Sequence, residues 1–79
     1  MIIDLCEFRN KFEEQFWLKH YSAVVKKSKG SILNKSHNTQ LTALATHLES
    51  CGFKSWYYRD SIYVEMPDED YMFGMLSYE

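Results

Sequence analysis

The sequence predicts an α+β fold, in which two helices pack on one face of a two-stranded antiparallel hairpin and a short C-terminal helix follows. Three observations support this prediction. An apolar stripe at helical spacing runs through residues 39–51, Gly52 follows it as a helix stop, and two strand-forming runs, 53–58 and 62–66, come next. A chain of 79 residues has room for one domain. We therefore expect a single domain over 1–79 in the order α-α-β-β-α.

The first helix is predicted to begin at Asp4 and to end near Lys27. Asp4 at the N-cap and Glu7 three residues later form a capping-box pattern, and Ile3 and Phe8 stand at the two positions of a hydrophobic staple. Apolar residues then recur along one side of the segment, at Leu5, Phe12, Phe16, Trp17, Tyr21, Val24 and Val25. A helix of this length spans roughly 36 Å, so we expect part of it to project from the domain or to pack on another molecule.

The second helix is predicted to begin at Asn38 or Thr39, because either residue can cap a helix. Gly52 is expected at the C′ position, where a positive φ is needed. Phe53 and Leu48 would then be the pair that a Schellman motif brings into contact. The apolar face of this helix consists of Leu41, Leu44, Ala45, Leu48 and Cys51.

The hairpin is predicted to turn through a three-residue loop, 59–61, which pairs Tyr58 with Ile62 and Trp56 with Val64. In this register, the face that packs on the helices holds Trp56, Tyr58, Ile62, Val64 and Met66. The face expected to be exposed holds Ser55, Tyr57, Tyr63 and Glu65.

A short third helix is predicted to begin at Pro67, because proline suits the first helical position. Asp68, Glu69 and Asp70 follow, and acidic side chains in a first turn interact favourably with the helix dipole. The apolar residues of this helix are Tyr71, Met72, Met75 and Leu76. Gly74 weakens it by about 1 kcal/mol.

Composition and spacing argue against a membrane span, a cofactor and a metal. No run of about 18 apolar residues is present, and no signal-peptide pattern begins the chain, so we expect a cytoplasmic protein. Cys6 and Cys51 fall at apolar positions and are expected to be buried free thiols. The three histidines are expected at the surface, and no pair of histidines or cysteines has the spacing of a zinc motif. We therefore expect no metal site and no cofactor.

Cys51 and His47 are a candidate catalytic pair, because they lie four residues apart on a helix and can therefore touch. A nucleophilic thiol also needs access to substrate and an oxyanion site. The expected burial of Cys51 and the lack of a glycine-rich loop argue against both. There is also no phosphate-binding or dinucleotide-binding fingerprint. We therefore expect that the protein is not an enzyme.

Binding to another protein is the function that the sequence favours. Tyr57 and Tyr63 are expected to lie opposite one another on the exposed face, and such rings are frequent in interfaces. A lone hairpin also leaves two open edges, so a homodimer through the hairpin edge or the first helix is compatible with this function. The expected partner-binding residues are Tyr57, Arg59, Tyr63, Glu65, Asp68, Glu69 and Asp70. We expect a regulator or inhibitor that occupies a partner's surface. Accessory proteins of phages and mobile elements resemble it in size and in lacking catalytic motifs.

Nucleic-acid binding through the segment 19–35 is the alternative. Residues 19–40 contain no acidic residue and five lysines, Lys19, Lys26, Lys27, Lys29 and Lys35. The order of helix, glycine and hairpin resembles the recognition helix and wing of winged-helix domains. However, residues 39–51 carry no Lys or Arg to contact bases, and acidic residues dominate 41–79. Cations near the end of the first helix are also explained by its dipole, so this function is less favoured.

Overall fold

The computed structural model describes residues 1–78, and within them it shows three α-helices and one three-stranded antiparallel sheet. The strands are β1 (Ile2–Asp4), β2 (Lys54–Tyr58) and β3 (Ser61–Glu65), in the spatial order β1-β3-β2. The helices are α1 (Lys11–Lys27), α2 (His37–Ser50) and α3 (Asp68–Ser77), and a 3₁₀ turn at Ser31–Asn34 joins α1 to α2. The predicted α+β class is confirmed, and β1 is an additional strand.

The N-terminal segment is a strand where the sequence predicts the start of a helix. Ile3 pairs with Val64 in β3 and is fully buried. The Asp4 carboxylate accepts hydrogen bonds from the Cys6 amide (2.9 Å) and from the Ser61 hydroxyl, so it caps a turn. The prediction of a helix N-cap at Asp4 is therefore wrong. Burying an isoleucine contributes about 1.5–3 kcal/mol, which exceeds the roughly 1 kcal/mol of a helix cap.

α1 begins six residues later than predicted, with Asn10 as its N-cap. The Asn10 side chain accepts a hydrogen bond from the Glu13 amide (2.9 Å), and the Glu13 carboxylate accepts one from the Arg9 amide (3.3 Å). This is the reciprocal arrangement of a capping box, with Glu13 reaching one residue further back than usual. The helix ends at Lys27, as predicted. Its 17 residues span about 25 Å.

α2 ends as predicted. Gly52 has a φ of +96°, the Phe53 amide donates to the Leu48 carbonyl (3.0 Å), and the Gly52 amide makes the companion bond of a Schellman motif. The N-cap of α2 is Ser36 and not the predicted Asn38 or Thr39, because the Ser36 hydroxyl accepts a hydrogen bond from the Thr39 amide (3.3 Å).

The hairpin turns through two residues, and the predicted three-residue loop is wrong. Arg59 (φ +49°) and Asp60 (φ +61°) both have positive φ, which is the signature of a type I′ turn. The register consequently pairs Tyr57 with Ile62. Because side chains alternate between the faces of a strand, this shift of one residue places every β2 side chain on the face opposite to the predicted one.

The inward side chains of β2 are Ser55 and Tyr57. Ser55 is buried and its hydroxyl donates to the Tyr63 carbonyl (2.7 Å), while Tyr57 packs half-buried against the core. Trp56 and Tyr58 lie on the outward face, so their predicted place in the core is wrong. The predicted burial of Ile62 and Val64 in β3, and of Met66 directly after it, is confirmed.

One core joins the helices to the sheet. Its buried apolar residues are Ile3, Leu5, Val24, Ile32, Leu41, Leu44, Leu48, Ile62, Val64 and Met66. α2 lies directly on β2 and β3, whereas α1 packs against α2 and α3. The prediction that two helices lie on the sheet is therefore correct for α2 only. Among residues 1–78, no helix covers the outward face of the sheet.

Candidate functional site

The most exposed large apolar side chains of residues 1–78 lie together on α3. The exposed fractions are 69% for Phe73, 63% for Met72 and 57% for Leu76. Because an α-helix has 3.6 residues per turn, these three side chains fall within about 100° of one another around the helix. We call Met72, Phe73 and Leu76 the anchor face of α3.

The opposite side of α3 is fixed to α1. The Tyr71 hydroxyl donates to the Glu13 carboxylate (2.7 Å) and accepts a hydrogen bond from the Asn10 amide group (2.6 Å). The Tyr71 ring meets Phe12 edge-on, with centroids 5.4 Å apart. Gly74 lies against the Phe12 ring, so closely that a methyl group on Gly74 would stand under 3.0 Å from that ring. Helical geometry therefore directs the anchor face away from α1.

The predicted acidic cluster forms the exposed first turn of α3. Asp68 lies 3.3 Å from the Met1 amino group. Glu69 lies one turn before the anchor face, on the same side of the helix. Within residues 1–78, Asp68, Glu69 and Asp70 make no salt bridge with a lysine or arginine. Negative charge therefore borders the apolar anchor face.

The outward face of the sheet is a second exposed surface. Trp56 and Tyr63 stack on it, with ring centroids 5.9 Å apart and planes inclined by 18°. At the turn, the Arg59 guanidinium lies 5.1 Å from the centroid of the Tyr58 ring. Glu65 is exposed at the end of β3. Three predicted partner-binding residues, Arg59, Tyr63 and Glu65, therefore lie on or beside this face.

Tyr57 does not share that face with Tyr63, so their predicted juxtaposition is wrong. Trp56 is the residue paired with Tyr63, and Tyr57 lies opposite Ile62 on the inner side of the sheet. The Tyr57 hydroxyl donates to the Asp60 carboxylate (2.9 Å). Tyr57 therefore ties β2 to the turn.

The five lysines of the alternative function surround the C-terminal half of α1 and the 3₁₀ turn. Lys19 and Lys26 line one shallow groove along α1. Lys27 borders a different groove, of about 330 Å³, between α1 and α2. Lys29 has a φ of +55°, and Lys35 directly follows the 3₁₀ turn. The lysines therefore do not share one groove.

A polar cluster between α1 and α2 was not predicted. His20 Nδ1 lies 3.3 Å from His47 Nε2, and Cys51 Sγ lies 3.6 Å from the same nitrogen. His20 is only 8% exposed and Cys51 is exposed, so the predicted surface position of His20 and burial of Cys51 are wrong. Cys6 is half-buried. The contact between His47 and Cys51 follows from helical spacing, whereas His20 belongs to another helix and no local pattern indicates it.

The cluster lacks the geometry of a catalytic triad. In a triad, the nucleophile and the orienting group contact different nitrogens of the histidine. Here Cys51 and His20 both approach Nε2 of His47. His20 is therefore not placed to orient His47 toward the thiol. The expectation that the protein is not an enzyme stays a prediction.

The stability of the fold should depend on pH through His20. Burial lowers the pKa of His20 below 6.5, and the nearby His47 and Lys19 lower it further. Below about pH 6.5 the unfolded chain takes up a proton that the folded chain still excludes. The free energy of unfolding should therefore be highest above that pH, and it should fall as the pH is lowered toward the pKa of folded His20.

Urea unfolding in the presence of EDTA, at about pH 7.5 and about pH 5.5, measures this effect. The His20→Gln variant should lose less stability between the two pH values than the wild type. An equal loss in both proteins would show that other groups cause the pH dependence.

The chain gives no match to protein-family models, to curated proteins or to solved structures. Within residues 1–78, none of the helices combines the length and the apolar character needed to cross a membrane.

Proposed function

We propose that the protein is a small, non-catalytic protein-binding module of the cytoplasm, which regulates or inhibits a macromolecular partner by covering part of its surface. The observation that carries this proposal is the anchor face, whose three large apolar side chains are 57–69% exposed. Single exposed apolar residues are ordinary, whereas a contiguous group is typical of interaction sites. Accessory proteins of phages and mobile elements are the nearest analogy, on size and absence of catalytic motifs.

The mode of binding that fits the anchor face is a helix laid into an apolar groove of the partner. Helices that bind in this way present apolar side chains one turn apart. Met72 and Leu76 have this spacing, and Phe73 widens the face on the side of Leu76. Because Tyr71 and Gly74 already dock α3 on α1, the helix is formed before binding. This preorganisation lowers the entropic cost of association.

The acidic cluster indicates the charge that the groove of the partner is expected to carry. Asp68, Glu69 and Asp70 lie one turn before the anchor face, so the proposed partner carries Lys or Arg at one end of its groove. Opposite charges at the rim of an interface raise the association rate and favour the correct partner. The three acids are therefore included in the proposed binding surface. The outward face of the sheet, with Arg59, Tyr63 and Glu65, is a separate region for a further contact, and Tyr57 supports it from the inner side.

Replacing the anchor face by glutamine should abolish partner binding. The variant Met72→Gln/Phe73→Gln/Leu76→Gln removes the apolar surface and keeps a high helix propensity. Loss of a single interface hot spot costs about 2 kcal/mol or more, which corresponds to about 30-fold in affinity, so the triple variant should lose more than that. The measurement is capture from a nuclease-treated lysate of the organism that encodes the protein, followed by titration of the captured protein.

The matched control is Leu18→Gln/Leu33→Gln, which removes two leucines that are 46% and 55% exposed elsewhere on the surface. The control should bind like the wild type, and both variants should keep the wild-type circular dichroism spectrum. Capture that is equal in all three proteins, or lost equally in both variants, contradicts the proposal.

A parallel capture without nuclease, at two salt concentrations, separates the alternatives. Retention of nucleic acid at low salt only, abolished by Lys26→Glu/Lys27→Glu, would favour the lysine-rich segment and contradict the proposal. Capture of a second copy of this chain through the anchor face would make the partner a homodimer subunit, and sedimentation of the purified protein would show it.

A further inference from the structure

We propose that His20, His47 and Cys51 form a zinc-binding site that links α1 to α2. His20 lies on α1, His47 lies on α2, and Cys51 is the C-cap residue of α2. One ligand atom of each residue lies within 4.8 Å of the other two. Imidazole nitrogen and thiolate sulfur are the principal ligands of zinc in proteins. The proposal departs from the sequence-based expectation that no metal is bound.

Two of the three distances in the cluster are those of a tetrahedral zinc site. With Zn–N near 2.0–2.1 Å and Zn–S near 2.3 Å, tetrahedral angles separate two nitrogens by roughly 3.4 Å and a nitrogen from a sulfur by roughly 3.6 Å. The observed separations are 3.3 Å between the two histidine nitrogens and 3.6 Å between His47 Nε2 and Cys51 Sγ. The third separation is at most 4.8 Å, so zinc binding requires the exposed Cys51 side chain to move toward His20.

Hydrogen bonding alone accounts for the cluster less well. The Nε2 atom of His47 carries either one proton or one lone pair, so it makes one good hydrogen bond. Yet His20 Nδ1 and Cys51 Sγ both approach it. Ligand atoms converge on one another in this way when they share a central ion.

The fold also holds His20 in place for binding. Its ring packs against Phe16, with centroids 4.5 Å apart, and lies edge-on to Phe53 at 6.0 Å. His47 and Cys51 are one helical turn apart and project from the same side of α2. A histidine ring that is fixed in this way loses little freedom when a metal binds.

Two imidazoles and a thiolate suit zinc, whereas magnesium and calcium prefer oxygen ligands. Binding requires that the Cys51 thiol release its proton to solvent, after which the thiolate sulfur forms a bond to zinc. Three protein ligands leave the fourth tetrahedral position open. Because Cys51 is exposed, water can reach that position.

Titration with Co²⁺ under reducing conditions tests the site, because Co²⁺ occupies tetrahedral zinc sites and its bond to a thiolate produces a charge-transfer absorption band. The wild-type protein should bind one Co²⁺ per chain with this band, and excess Zn²⁺ should remove it. Cys51→Ser should lose the band. His47→Ala should weaken binding by at least the roughly 10–100-fold that loss of an outer-shell partner costs.

The matched controls are Cys6→Ser, which removes the other thiol, and His37→Ala, which removes an exposed histidine of α2. Both should bind Co²⁺ like the wild type. Zn²⁺ should also raise the thermal unfolding midpoint of the wild type and the controls, and it should leave that of Cys51→Ser unchanged. The proposal is overturned by a wild-type protein without the band, or by a band that Cys6→Ser removes and Cys51→Ser retains.

Discussion

Glu13→Ala is expected to lower the free energy of unfolding by about 1–3 kcal/mol, the usual cost of leaving buried hydrogen-bond donors without their acceptor. The Glu13 side chain is fully buried. Its carboxylate accepts hydrogen bonds from the Tyr71 hydroxyl (2.7 Å) and the Arg9 amide (3.3 Å), and it lies 3.5 Å from the Arg9 guanidinium. Alanine leaves these donors without this acceptor and removes one of the two hydrogen bonds that join Tyr71 of α3 to the start of α1. Urea unfolding followed by circular dichroism measures the loss.

Glu14→Ala is the matched control, because Glu14 is the next residue and is exposed. It should change stability by no more than about 0.5 kcal/mol. Glu13→Gln should fall between the two, since its amide oxygen still accepts from Tyr71 while Arg9 loses an opposite charge. Similar losses for Glu13→Ala and Glu14→Ala would show that the buried network contributes little.

Gly74→Ala is expected to destabilise the docking of α3 on α1 by about 1–3 kcal/mol, although alanine favours helix by about 1 kcal/mol over glycine. The added methyl would stand under 3.0 Å from the Phe12 ring. That ring contacts the rings of Phe16, Tyr71 and Tyr78, with centroids 5.4–6.3 Å away. Phe12 therefore cannot turn aside without moving a neighbour. Urea unfolding and amide hydrogen exchange along α3 measure the change.

A double-mutant cycle with Phe12→Leu identifies the cause. In the Phe12→Leu background the smaller side chain leaves room for the methyl, so Gly74→Ala should be neutral or stabilising there. If Gly74→Ala stabilises both backgrounds equally, the contact between Gly74 and Phe12 does not limit the docking of α3. An undocked α3 would also lose the preorganised anchor face, so Gly74→Ala should weaken the proposed partner binding.

The elements predicted correctly are those that short-range chemistry determines. The end of α2 depends on bonds between Leu48, Gly52 and Phe53, all within six residues of one another. The start of α3 was predicted to within one residue, since the helix begins at Asp68 and Pro67 is its N-cap, not its first helical residue. Such features form from neighbouring residues, so a local pattern is sufficient to indicate them.

The start of α1 was not determined locally, because residues 4–7 and residues 10–13 both have capping-box character. The choice depends on Ile3, which pairs with β3 near the other end of the chain and enters the core. A capping pattern contains no information about that pairing. The register of the hairpin could not be predicted either. Arg59 and Asp60 adopt positive φ, and no glycine in the turn indicates this conformation.

The residues of the candidate sites also fall into two groups, those that local sequence patterns indicate and those that depend on tertiary packing. Sequence patterns were sufficient to indicate the α+β class, the acidic start of α3 and the i, i+4 contact of His47 with Cys51. The packing of distant segments brought His20 to that pair and turned Trp56 outward. It also left Met72, Phe73 and Leu76 exposed, because α3 docks through Tyr71 and Gly74. The physical reason is that local signals specify helices, caps and turns, whereas the packing of distant segments decides which side of each element is buried.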